Sequence, residues 1–182
     1  EQPELTKERV LKLEGIKHPL LLTRVPNIVK NDFSLGDGYT SLIITGSNTG
    51  GKTVTLKTVG LFVLMTRAGM FLPCDSAKLY PFAKVLADIG DEQDIMQNLS
   101  TFSSHMNNII SILNEADKDT LVLLDEICAG TDPQEGASLA EVILDNIASK
   151  GSLSITTTHF GELKSLEYTN AKFKNACVEF DK

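Results

Sequence analysis

Two spacings of apolar positions divide the chain. Unbroken aliphatic runs at 41–45 (SLIIT), 120–126 (TLVLLDE) and 152–159 (SLSITTTH) predict strands buried on both faces, as in a parallel sheet covered by helices. Helical spacing fills residues 52–68 and 103–115, the latter through Met106, Ile109, Ile110 and Leu113. A third helix is expected from Pro133 to about Lys150, because the first turn tolerates a residue without an N–H. KVLADI at 84–89 reads as a further strand, and KNACVEFD at 174–181 alternates like an edge or half-exposed one. Residues 1–40, with Pro3, Pro19, Pro26 and the turn-like LGDGY at 35–39, predict irregular chain, and Pro73 and Pro81 mark another interruption. Strands alternating with helices imply a three-layer α/β fold, a mostly parallel central sheet with helices on both faces.

Composition narrows the class. A chain of 182 residues with 42% hydrophobic content suits one domain with a substantial core. The longest apolar run, VGLFVLM at 59–65, falls far short of the roughly 20 residues a membrane span needs. The chain opens at Glu1 without an initiator methionine or a signal-peptide pattern, so residues 1–182 are read as a single domain cut from a longer protein. A net charge of −7 makes this domain a poor principal contact for nucleic acid, whose affinity comes from Lys and Arg on phosphates. Cys74, Cys128 and Cys177 are isolated and form no CxxC pair, which argues against zinc and fits core residues in a reducing cytoplasm.

The chemistry begins at GSNTGGKT, residues 46–53, which matches G-x-x-x-x-G-K-[ST] between a predicted strand and a predicted helix. Gly46, Ser47, Asn48, Thr49, Gly50 and Gly51 would let successive backbone N–H groups curl around an anion, and the helix opening through Val54 turns its unpaired donors to the same point. Lys52 adds a charge for the outer phosphates, and Thr53 a hydroxyl for Mg²⁺. This pattern predicts a nucleotide site.

A second group of acids follows. Asp125 and Glu126 end an apolar strand that is expected to lie beside the loop, so Asp125 would reach Mg²⁺, directly or through water, and Glu126 would act as general base on an attacking water. LSTFSSHMNNI at 99–109 sets hydroxyl residues before a helix. Either Ser103 or Ser104 is an ordinary N-cap, or the helix start addresses a second molecule's nucleotide, and spacing leaves both open. Gly130, Thr131 and Asp132 would turn over the sheet's C-terminal edge, where His159, ending another strand, is a candidate γ-phosphate sensor.

The order of these segments resembles the ATP-binding-cassette superfamily. More narrowly, ITGSNTGGKTVTLKTVG, LSTFSSHM, LLDEICAGTDPQEGASLA and TTHFGELK resemble the MutS family, above all its second bacterial branch, whose full-length members carry an Smr nuclease domain. The resemblance implies an ATPase with ATP and Mg²⁺ as ligands, working as a homodimer with two composite sites. Ser100 matches the signature serine that contacts the γ-phosphate held by a partner subunit. Asp132 falls in the turn at the dimer seam, and Asp125, Glu126 and His159 match the metal-associated acid, the catalytic acid and the switch histidine. The implied targets, branched or recombining DNA or a stalled ribosome, would be gripped by other domains. An ATP-gated clamp with slow hydrolysis is the alternative; a monomeric kinase would need an acceptor pocket and a lid, and the sequence signals neither.

Two departures stand against the family pattern. Ser47 replaces a common proline, and aliphatic Ile28, in IVKND at 28–32, falls where relatives stack adenine on an aromatic. The chain also stops soon after NACVEFD, where the family continues into elements that help dimerise, and it holds no Smr sequence to supply nuclease activity.

Overall fold

The computed structural model describes residues 1–24, 28–46, 51–90 and 98–178. In chain order the elements are β1 (Glu4–Leu5), β2 (Leu11–Ile16), β3 (Asn31–Leu35), β4 (Ser41–Thr45), α1 (Lys52–Arg67), β5 (Ser76–Leu79), β6 (Lys84–Asp88), α2 (Asn98–Glu115), β7 (Thr120–Leu124), α3 (Pro133–Ser149), β8 (Leu153–Thr158), α4 (Leu166–Thr169) and β9 (Phe173–Cys177). The three aliphatic runs become β4, β7 and β8, each buried at every position.

These strands form the middle of a five-stranded sheet in the order β6-β7-β8-β4-β9, with every pairing parallel. Successive side chains on a strand point to opposite faces, so each run feeds two cores. Leu42, Ile44, Leu121 and Leu123 pack with Leu56, Val59 and Phe62 of α1. Ile43, Val122 and Leu124 pack on the other face with Ile109 and Ile112 of α2 and Ile143, Leu144 and Ile147 of α3. The expected three-layer arrangement is present.

Four expectations need correction. Residues 1–40 are not irregular: β1, β2 and β3 join β5 in a second sheet, order β1-β5-β2-β3, in which β2 runs antiparallel to both neighbours. Its inner side chains, among them Leu11, Leu13, Leu35 and Leu79, complete the core around α1, while the outer positions of β2, Lys12 and Glu14, face solvent. Arg9 and Tyr80 tie it to the central sheet's N-terminal end, through the carbonyl of Lys118 at 2.9 Å and the carboxylate of Asp119 at 2.8 Å. Second, β7 does not adjoin β4. Strand β8 lies between them, its Thr156 in register with Ile43 on one side and Leu124 on the other.

Third, α2 starts at Asn98, five residues before the predicted start, so Ser103 and Ser104 are exposed interior positions of the helix and cap nothing. Fourth, β7 stops at Leu124. The chain then turns sharply, with Glu126 and Cys128 in the left-handed region at φ 49° and 57°.

Phe62 is fully buried where α1 meets both sheets. Phe62→Ala is expected to lower the free energy of unfolding by about 3–5 kcal/mol, read as a reduced midpoint in urea denaturation.

Candidate functional site

The C-terminal edge of the central sheet collects the loops after β4, β7 and β8. Ser47, Asn48, Thr49 and Gly50 of the phosphate loop lie outside the described residues. Its two ends are in place. Gly46 leaves β4 at φ 137°, and Gly51 caps α1 at φ 81°, a conformation that side chains other than glycine rarely adopt. A Cβ on Gly51 would meet nothing within 4 Å among the described residues.

Lys52 points inward rather than to solvent: it is 1% exposed, and its ammonium donates to the Gly46 carbonyl. Burial lowers its pKa from the ordinary value, and the carboxylates of Glu126 and Asp125 pull it back up. A buried cation flanked by two acids gives the site both signs of charge within one small volume. Val54, two residues on, is exposed, and its carbonyl accepts the Thr58 hydroxyl at 2.6 Å.

Asp125 is the meeting point. Its Oδ1 accepts the Thr53 hydroxyl at 3.0 Å and the Thr157 hydroxyl at 2.6 Å. Thr157 Oγ1 in turn accepts the N–H of Glu126 at 2.8 Å, and the Thr157 carbonyl accepts the N–H of Ile127 at 3.2 Å. Thr157 therefore fixes both acids from β8, the strand that separates β4 from β7. It is fully buried. The sequence reading passed over it, although a run of threonines in a strand buried on both faces is itself a signal: such hydroxyls need partners.

His159, just past β8 and 46% exposed, sets Nε2 3.0 Å from Oε1 of Glu126, whose side chain is 12% exposed. The predicted sensor and the predicted base are thus in contact. Asp132 is the N-cap of α3, its Oδ1 accepting the N–H groups of Gln134 at 3.0 Å and Glu135 at 3.2 Å. Ser100 lies in the first turn of α2, and its side chain is outside the described residues. Cys128 is buried, which pushes its thiol up to about 11, with the Asp88 charge adding to the effect. Ile28 is half-buried and does not line the neighbouring cleft, a space of about 590 Å³ bounded by Phe33, Tyr39, Leu42, Ile44, Thr55 and Val178 among others.

The donor set suits a nucleotide with magnesium. A hydroxyl paired with a carboxylate is hard-oxygen chemistry, and no group of three or more His, Cys, Asp or Glu among the described residues could cage a metal alone. Mg²⁺ held by one carboxylate, a hydroxyl, water and phosphate oxygens fits that arrangement. No helix among the described residues is long and apolar enough to cross a membrane.

Comparison with known proteins gives the family. The family model described as MutS domain V matches residues 42–182. The chain is similar to Endonuclease MutS2 of Acetivibrio thermocellus, at 52% identity over 98% of this chain and 22% of that protein. It is likewise similar to Endonuclease MutS2 of Bacillus mycoides, at 51% identity over 99% of this chain and 23% of that protein. For the protein of that name from Caldicellulosiruptor bescii the figures are 52%, 99% and 23%. The chain therefore spans less than a quarter of the length of these relatives.

Thr157→Val keeps the shape of the side chain and removes its hydroxyl. Unfolding free energy should fall by about 1–3 kcal/mol in a denaturant titration, because a buried carboxylate oxygen and the Glu126 N–H lose a partner together. Thr157→Ser, which retains the hydroxyl, should recover most of it.

Proposed function

The chain belongs to the MutS family, matching its domain V, and on that premise we propose that it binds ATP with Mg²⁺ and hydrolyses it in a site completed by a second copy of itself. The observation that carries the reading is the Thr53–Asp125 contact at 3.0 Å beside the Glu126–His159 contact at 3.0 Å, both at the foot of the phosphate loop. A hydroxyl and carboxylate for the metal, and a base with its partner, are the two groups that phosphoanhydride hydrolysis requires.

Bound MgATP supplies the phosphoryl group and the metal charge that offsets its oxygens. Lys52 and the N–H groups at the start of α1 hold the phosphates, and Thr53 and Asp125 hold the metal directly or through water. Glu126 takes the proton from the attacking water. His159 orients the Glu126 carboxylate and, being half-exposed, is free to follow the γ-phosphate. Ser100, in the first turn of α2, reaches the nucleotide of the partner subunit, and Asp132 lies at the seam. The cleft beside Thr55 offers room for the base next to the first turn of α1.

In this reading the domain is a motor. Its closure and opening drive arms supplied by the rest of the protein, which engage branched or recombining DNA or a stalled ribosome. The acidic charge of the chain, −7, supports a division of labour in which other parts hold nucleic acid. Nuclease activity, which the relatives' name carries, belongs outside this chain.

Glu126→Gln should bind ATP normally and lose turnover by about 10²- to 10⁴-fold, the usual weight of a general base. If the protein is a motor, its function on its target disappears with turnover; a clamp with slow reset would keep target binding. ATPase activity per subunit is also expected to rise steeply with protein concentration, tracking dimer mass. Monomers that turn over ATP at the full rate would refute the shared site.

A further inference from the structure

Asp88 closes β6, the edge strand of the central sheet, yet it is buried. Two residues of α2 hold its carboxylate: His105 Nδ1 lies 2.8 Å from Oδ2, and Asn108 Nδ2 donates to Oδ1 at 2.8 Å. They stand three residues apart, on one face of the helix. Asn108 also donates to the Ala87 carbonyl at 3.1 Å. The His105 ring is seated against Gly90, where a Cβ would come within 2.6 Å of it. On its backbone side, Asp88 accepts the N–H of Asp125 at 2.9 Å.

Among the described side chains of α2, full apolar burial begins at Ile109 and continues at Ile112, and His105 and Asn108 are polar restraints on the helix before that point. Ser100 precedes His105 by five residues, about 7.5 Å of helix rise. One residue, Asp88, thus joins the acid-bearing edge of a subunit to the helix start of the same subunit.

We infer that His105 and Asn108, acting through Asp88, are positioning residues for the helix start that one subunit offers to its partner's nucleotide. The inference rests on the shared-site reading above. It assigns the pair an effect in trans: their loss leaves a chain's own phosphate loop, Asp125 and Glu126 in working order and spoils the site of the opposite chain.

The test is complementation between subunits of the intact dimeric protein. The double variant His105→Ala/Asn108→Ala alone should bind ATP with near wild-type affinity and hydrolyse it at least 10-fold more slowly. Lys52→Ala alone should be inactive. Mixed and re-equilibrated one to one, half of the dimers are heterodimers, each pairing the double variant's intact loop with the Lys52→Ala chain's intact α2. One of their two sites then works, and the mixture should recover about a quarter of the wild-type rate per subunit. A merely structural defect in the double variant would give no such recovery.

Ser100→Arg mixed with Lys52→Ala serves as the reference. If that pair recovers activity and the His105/Asn108 pair does not, the positioning role is wrong and the shared site stands. If neither pair recovers activity, the shared site itself falls, and this inference with it. Wild-type turnover by the double variant alone would equally overturn it.

Discussion

One oxygen organises the site. Asp125 Oδ1 accepts hydroxyls from Thr53, at the start of α1, and from Thr157, in β8, so three segments far apart in sequence are fixed to a single acceptor. The arrangement depends on strand order. With β8 between β7 and β4, Asp125 is met directly by Thr53 and is held as well by a buried threonine of β8, whose Oγ1 also accepts the N–H of Glu126. Asp125 and Glu126, in the turn after β7, are thereby both held to a residue of the rigid parallel sheet.

Much of this was legible in the residues, and for a physical reason. Parallel strands buried on both faces write themselves as aliphatic runs, and phosphate loops need glycine and lysine at fixed places, so β4, β7, β8, Lys52, Thr53, Asp125 and Glu126 could be found locally. The second sheet could not be found in the same way. LKLEGI alternates as a half-exposed strand should, but its partner β5 has only four residues and lies some 60 positions on, past α1. Thr157 was missed because its role follows from strand order, which no local pattern states. The start of α2 was misplaced because its first turns carry Ser100, Thr101, Ser103 and Ser104, residues that favour caps and turns over helix interiors. That segment leans on tertiary anchors, and among the described residues the Asp88 cluster is a polar one.

The electrostatics of the edge are arranged for an anion that brings its own cation. Lys52 is removed from water, and its charge is supported by Glu126 and Asp125. Two carboxylates close to one ammonium leave the pocket short of positive charge, so on the proposed function the metal complex would be favoured over the bare nucleotide. Cys128 beside this edge is a packing residue, since its thiol, pushed to about 11, stays protonated at neutral pH.

The backbone at Glu126 has a consequence for how this protein can change. At φ 49° a glutamate sits where glycine would rest without strain, a standing penalty of about 1–3 kcal/mol for a side chain that the fold itself does not require. Stability and activity therefore pull against each other at this one position. On the proposed role of Glu126 as the base, an engineer selecting only for heat resistance would drift here toward glycine or asparagine and arrive at a sturdier, inert protein.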